Sequence, residues 1–199
     1  MIIAVEGIDG AGKNTLVTAV RKETGADVLA FPRYDDSVHA SLAADALHGK
    51  MGDLTDSAYG MATLFALDRA GAVDKLRRFR DSRDVLILDR YVASNAAYSW
   101  ARTRDEGIVD WVAELEFGRL GLPEPDLQVL LSTDPDEAAE RARRREAADA
   151  SRARDAYERD GGLQQRTFDA YVELAQRSWH SPWVMTDDSA EILARIRTL

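Results

Sequence analysis

Short runs of Val, Ile and Leu alternate along the chain with longer stretches in which apolar residues recur at helical spacing. Ile2–Glu6 and residues 28–31, 84–89 and 127–132 predict buried strands, and Trp183–Met185, after Pro182, predicts a fifth. Between them, Lys13–Thr24 and residues 54–79, 108–120, 134–145 and 163–179 predict helices. The second of these reads as one long helix with Leu64, Leu67, Val73 and Leu76 spaced along it. Asp134 has the form of an N-cap, with Pro135 at the first helical position. Strands that alternate with helices predict an α/β fold, a mostly parallel five-stranded sheet covered on both faces. In such sheets ligands bind beyond the carboxyl ends of the strands. Neither an internal repeat nor a low-complexity linker divides the 199 residues, so one domain spanning 1–199 is expected.

Composition narrows the classes. No run approaches the roughly 18 apolar residues of a membrane span, and no basic and apolar leader precedes "IIAVE". A cytoplasmic protein without a membrane partner is the expectation. Cysteine is absent and His39, His48 and His180 are scattered, so a metal would have to sit on oxygen ligands. The formal charge of −9 argues against a nucleic-acid polymer as partner. Within this acidic chain, however, residues 140–159 carry seven arginines. They read either as a solvated helix paired to Glu140, Glu146 and Asp155 or as a cationic segment awaiting an anion.

The stretch "VEGIDGAGKNTL" gives the anion a location. Gly7, Gly12 and Lys13 fit G-x-x-x-x-G-K, after a predicted strand and at the start of a predicted helix. Such a loop curls so that its amides and the helix N-terminus face phosphates, while Lys13 reaches the outer ones. Gly7, Gly10, Ala11, Gly12, Lys13 and Thr15 are therefore the candidate phosphate cradle. Asn14 stands where a Ser or Thr hydroxyl usually meets Mg²⁺, and Thr15 comes one residue too late to replace it. The metal then needs other oxygens, and Asp9, Asp89 and Glu158, with Asp155 beside it, are the acids nominated; each also reads as a cap or an ion pair. Asp89 ends the apolar run "DVLILDRY", and Arg90 follows at the strand end, where a guanidinium can grip a phosphate with two hydrogen bonds.

A small-molecule kinase, a GTPase and an ATPase that drives a protein partner all use such loops. No N-K-x-D occurs, and "DRAG" at Asp68 lies inside helical periodicity, which removes the GTPase. The partner-driving ATPase has no short signature and stays open. The arginine-dense segment favours the kinase, because transfer between two anionic substrates needs movable cations over the reacting phosphates.

Five separated blocks then resemble, in order, the motifs of the thymidylate kinase family, in its mycobacterial-type branch. They are "FPRY" from Phe31, "MATLFALDRAGA" from Met61, "DRYVASNAAYS" from Asp89, "EFGRLGLPEPD" from Glu116 and "RARDAYE" from Arg152. The resemblance runs from Met1 to about Tyr171. It implies a P-loop NTPase fold of three α/β/α layers with an arginine-rich lid at about residues 140–159, usually as a homodimer. It also implies Mg²⁺-dependent transfer of the γ-phosphoryl group of ATP to dTMP, giving dTDP and ADP; a kinase for another (deoxy)nucleotide is the neighbouring possibility.

The implied roles fall on matching positions. Phe65 stacks on thymine, Arg69 donates to a thymine carbonyl, and Asn95 offers a donor and an acceptor to the base edge. Tyr98 lies beneath the sugar and leaves no space for a 2′-hydroxyl. Arg90 holds the dTMP phosphate, Arg33 and Tyr34 border that pocket, Arg152 and Asp155 belong to it, and Asp9 meets the 3′-hydroxyl or the metal. Lys13, Arg90, Asp9 and a lid arginine form the implied catalytic set. Because the loop carries no arginine, the lid has to supply one. Arg141, Arg145 and Arg152 match lid positions, with Arg154 beside them, and Arg141 and Arg145 are placed on ATP, Arg145 as the catalytic one. That branch carries arginine at the place of Asn14, so no role passes to Asn14.

Overall fold

The computed structural model describes residues 1–80, 82–148 and 155–199. Its sheet has five strands, β1 (Ile2–Glu6), β2 (Asp27–Ala30), β3 (Leu86–Asp89), β4 (Leu127–Leu130) and β5 (Trp183–Met185), in the order β2-β3-β1-β4-β5. Every pairing is parallel. Consecutive residues of a strand point to opposite faces, yet all of Ile2–Glu6 are buried, so helices cover both sides of β1. The expected strand positions hold, with β3 starting and β4 ending two residues inside the predicted 84–89 and 127–132.

The helices are α1 (Lys13–Thr24), α2 (Val38–Leu47), α3 (Ala58–Ala70), α4 (Val73–Arg80), α5 (Val92–Thr103), α6 (Gly107–Ala113), α7 (Pro135–Ala148), α8 (Ala156–Arg159), α9 (Gly161–Gln176) and α10 (Ser189–Ile196). Asp134 caps α7 as expected, its carboxylate accepting from Asp136 N at 2.9 Å. The single helix expected over 54–79 is instead a short turn at Leu54–Asp56 followed by α3 and α4. Ser57 starts α3 by accepting from Gly60 N at 3.0 Å. At its other end Arg33 takes the Asp68 carbonyl at 2.5 Å and lies where a Cβ on Gly71 would sit, so the chain breaks there. The helix expected over 108–120 also changes character. After α6 the backbone widens into a π-helical turn, Glu114–Arg119, and Leu120 N bonds Leu115 O five residues back.

The parallel register positions the chemistry. Val5 lies beside Asp89, and Arg90 N donates to Val5 O at 2.9 Å, so the glycine loop leaving β1 and the arginine leaving β3 emerge side by side. No helix among the described residues is long and apolar enough to cross a membrane. Leu88, fully buried in β3, belongs to the core beneath this edge. Leu88→Ala is expected to lower unfolding stability by about 2–5 kcal/mol in chemical denaturation, the usual loss for a leucine truncated in a packed core.

Candidate active site

Gly7, Gly10 and Gly12 take positive φ values of 147°, 84° and 100°, which bends the chain into a cup between β1 and α1. Gly12 is the α1 N-cap and supplies no side-chain acceptor, so the helix opens with bare amides towards the cup. Lys13 folds back and donates to Gly7 O and Ile8 O at 3.1 and 2.9 Å. Burial, then the nearby Arg90, lowers its ammonium pKa to about 8 against the pull of Asp9, Asp89 and Glu6. Phosphate entering the cup would supply the negative charge that this lysine lacks. The second loop glycine meets another element. A Cβ on Gly10 would fall 2.1 Å from Ala138 O, so the loop lies flush against α7. Thr133 and Arg141 reinforce this join by donating to Ala11 O at 2.8 and 3.5 Å.

Arg90 adopts φ 67°, an uncommon left-handed backbone for a non-glycine residue that costs on the order of 1–3 kcal/mol. That turn carries its guanidinium into the cleft, where it pairs with Asp9. Its other amino group donates to Ser94 Oγ and Tyr171 OH at 3.2 and 3.4 Å. Both hydroxyls bond in turn to Glu6, fully buried on β1, at 2.6 and 3.1 Å. Burial raises the Glu6 pKa, opposed by Ser94, Arg90 and the Tyr91 amide. Glu6, Ser94 and Tyr171 were not anticipated as members of the site. Asp9 also accepts from Tyr98 OH at 2.7 Å and Gln164 Nε2 at 3.3 Å. Burial would raise its pKa, but Arg90 and Lys13 outweigh that and hold it at about 2.

Beyond Asp9 two cavities meet. A narrow one of about 100 Å³ is walled by Phe65, Arg69, Asn95, Tyr98, Arg102 and Tyr157 among others. A wider one of about 720 Å³ runs over Gly10, Gly12, Lys13 and Asn14 to Asp89, Arg141 and Glu158. Asp9, Tyr34, Arg90 and Asp155 line both, so the two form one continuous cleft with Asp9 and Arg90 at the junction. Arg69 is 3% exposed and binds Glu116 through Nε and Nη2 at 2.5 and 2.7 Å. Asn95 Nδ2 donates to Ala62 O at 2.9 Å and Glu116 Oε1 at 2.8 Å. Both amide hydrogens of Asn95 are thus used within the protein. Against the expected donor and acceptor, it offers the narrow cavity only its Oδ1. Tyr98 stacks on Tyr157 at 6.0 Å between centroids, and Arg102 caps the Tyr157 ring at 4.9 Å. Arg33 is drawn away from the cleft to Asp68, at 3.0 Å, leaving Tyr34 at the rim.

The segment expected to form the lid, residues 140–159, is described in part. Arg141 is held by Glu137 at 2.5 Å one helical turn away and points into the wider cavity. Arg145 lies on α7 with its side chain outside the described set, and Arg152 and Arg154 lie outside the described residues. Asp155 caps α8 by accepting from Tyr157 N and Glu158 N at 2.8 and 2.9 Å, and Glu158 returns the bond from Asp155 N at 3.2 Å. Thr15 does not line the wider cavity. It lines a third hollow of about 300 Å³ with Gly12, Thr133, Arg141, Asp187 and Ser189, the last two from a part of the chain where no site residue was expected.

The nominated metal ligands Asp9, Asp89 and Glu158 all border the wider cavity. Among the described residues Asp9, Asp89 and Glu158 form no cluster of metal-holding side chains, because Asp9 is committed to Arg90 and Tyr98 and Glu158 to its cap. Asp89 differs. Its buried Oδ1 has no hydrogen-bond partner, and its residue borders the phosphate cleft together with Asn14. One anionic oxygen fits a hard cation that keeps most of its waters and takes the rest of its shell from substrate phosphates. Asn14 Oδ1 accepts from Thr18 Oγ1 at 3.4 Å.

A glycine loop bearing lysine, a strand-end arginine and an adjoining pocket on a five-stranded parallel sheet define a P-loop kinase of small nucleotides as a class. Solved structures agree on the fold. This chain is similar to thymidylate kinase from Candida albicans, with TM-score 0.74 at 21% identity over 99% of this chain and 91% of that one. It is also similar to deoxyadenosine kinase from M. mycoides, with TM-score 0.69 at 15% identity and both chains covered in full. A family model described as thymidylate kinase matches residues 5–192. The thymidylate kinase of Mycobacterium tuberculosis H37Rv is 54% identical over 193 residues, covering 93% of this chain and 90% of that protein. A probable thymidylate kinase of Thermococcus onnurineus is 32% identical over 89% of this chain and 85% of its own length. The chain belongs to the thymidylate kinase family.

The Asp9 shift gives an acid signature. Its folded pKa of about 2 lies below the ordinary 3.8, so the pairing stabilises the fold above pH 3.8 and is lost as pH falls from there towards 2. Between pH 5 and 2 this protein is expected to lose about 2 kcal/mol more stability than Asp9→Asn, read from denaturant unfolding at each pH.

Proposed function

We propose that the chain transfers the γ-phosphoryl group of ATP to dTMP, with the triphosphate in the glycine loop and the monophosphate's base in the narrow cavity. The observation that carries this reading is the shared wall: Asp9 and Arg90 face both cavities, so a donor and an acceptor phosphate would meet at one guanidinium. The acceptor oxygen of a monophosphate is already anionic near neutral pH, so no strong base is required. The protein's task is to align two anions and offset their charge. Lys13, the α1 amides and Arg90 supply fixed positive charge, and Arg141 stands above the loop on α7. The hollow bordered by Thr15, Asp187 and Ser189 is the natural seat for the nucleoside of ATP, continuing from Gly12 away from the acceptor.

Phe65 forms one wall of the narrow cavity, where an aromatic face can stack on thymine. Tyr98, fixed by its hydrogen bond to Asp9, occupies the floor beside the sugar position and crowds a 2′-hydroxyl. Mg²⁺ would be held on the Asp89 side of the cleft and supply charge to the phosphates. Pairing of two copies is part of the proposal. Tyr59, 44% exposed, packs edge-on against Trp111 at 4.8 Å on the outer side of α3 and α6, an aromatic face suited to a twin. Light scattering is expected to report twice the 22.0 kDa chain mass, and a monomer at micromolar concentration would contradict the pairing.

A coupled ADP assay with ATP and Mg²⁺ is expected to show dTMP-dependent turnover, with UMP and dCMP much poorer. Turnover that ignores the acceptor would instead mark an ATPase serving a protein partner, and UMP used as well as dTMP would remove the Tyr98 role. Lys13→Ala and Arg90→Ala are each expected to cut turnover by about 10²-fold or more. Unaltered turnover in both would remove the proposed site.

A further inference from the structure

Glu116 touches neither cavity as a lining residue, yet two residues that do line the narrow one depend on it. Its carboxylate is fully buried in the π-helical turn and accepts three hydrogen bonds, two from Arg69 and one from Asn95. We propose that Glu116 sets the base specificity of the enzyme by fixing which hydrogen-bonding face Arg69 and Asn95 turn towards the nucleotide. The inference rests on the reading of the narrow cavity as the dTMP base site.

Arg69 can only donate, and Glu116 takes Nε and Nη2, which leaves Nη1 as the guanidinium nitrogen outside the pair. Asn95 could in principle turn either end of its amide to the cavity. Glu116 Oε1 and Ala62 O are both acceptors, so both must face the NH₂ end, and Oδ1 is left for a ligand. The resulting edge carries a donor and an acceptor. Thymine matches it with an O4 acceptor and an N3–H donor, whereas cytosine presents an N4 amino donor and a bare N3 acceptor and mismatches both. Sites that leave polar groups unpaired against the wrong substrate discriminate strongly. The carboxylate is required for this, because it accepts from both sides. Oε1 accepts from both Arg69 Nη2 and Asn95 Nδ2, and Oε2 from Arg69 Nε, so an amide in its place sets its NH₂ against an Arg69 donor whichever way it turns. With that nitrogen at the Oε1 position Asn95 also loses its acceptor, and with it at the Oε2 position the Arg69 pair opens, so the face the two residues present together is no longer fixed.

Glu116 is accordingly a positioning residue, and the test reads specificity as well as rate. In Glu116→Gln the ratio of kcat/KM for dTMP over dCMP is expected to fall by about tenfold or more, the worth of one charge-assisted hydrogen bond. KM for dTMP rises while KM for ATP stays within about twofold of the wild type. A role in folding alone would lower both substrates by the same factor and leave the ratio unchanged, which overturns the proposal. If Glu116→Gln fails to fold, Glu116→Asp replaces it. The shorter carboxylate cannot reach Arg69 and Asn95 together, so the same fall in ratio is expected, and an unchanged ratio again overturns the proposal. Wild-type protein with no preference for dTMP would instead sink the base-site reading itself.

Discussion

The proposed transfer depends on a guanidinium kept charged, buried and aimed where two anions would meet, and the structure around Arg90 holds it charged and buried at the junction of two cavities. Parallel pairing of β1 and β3 brings residue 90 beside the glycine loop. The left-handed turn at Arg90 then directs the side chain into the cleft instead of along the strand. Burial disfavours the charge, but Asp9 more than restores it, so Arg90 stays a cation at any accessible pH. Glu6 anchors the far side through Ser94 and Tyr171. In the proposed reaction an entering phosphate would compete with Asp9 for a guanidinium already in place, leaving little reorganisation for the moment of transfer.

The same solution recurs around the cleft. Arg69 is fixed by Glu116 and Arg33 by Asp68, each pair largely withdrawn from water. A chain of net charge −9 can thereby hold a cationic site, because individual carboxylates are assigned to individual arginines and the surplus acid lies elsewhere. Breaking one partner of such a pair leaves a buried charge unmatched and costs typically 3–5 kcal/mol. The arrangement therefore specifies direction as much as it stabilises: Asp9 and Glu116 hold Arg90 and Arg69 at the cleft, whereas Asp68 draws Arg33 away from it. α7 joins this frame through Gly10, whose missing Cβ lets the helix sit on the loop.

Much of this was legible in the sequence where a local rule governs. The glycine loop, its strand and its helix were readable because G-x-x-x-x-G-K has one structural context, and the strand ending in Asp89 and Arg90 because an apolar run in a parallel sheet is buried throughout. The five family motifs located the narrow cavity's walls at Phe65, Arg69, Asn95 and Tyr98. What escaped depends on long-range contact. The break at Gly71 is imposed by Arg33 from another segment, so helical spacing through residues 54–79 could not reveal it. α2 is alanine-rich and lacks an apolar stripe against a polar face, which left no period to detect. Glu116 was quoted within a motif but given no role. Only the π-helical turn and the two partners, 47 and 21 residues away in sequence, show what it touches. Which of the nominated acids pairs with an arginine was not legible for the same reason: the partner of Asp9 comes from residue 90.

Arg90, held at the junction of two cavities, is proposed to receive the acceptor phosphate while the base is read in the narrow cavity. A crystal structure of the protein with dTMP bound is the decisive experiment. A phosphate oxygen is expected about 2.7–2.9 Å from the Arg90 guanidinium, with the base against Phe65 and its edge at Arg69 and Asn95. A nucleotide bound with its base away from Phe65 and Asn95, or with its phosphate out of reach of Arg90, would overturn that assignment.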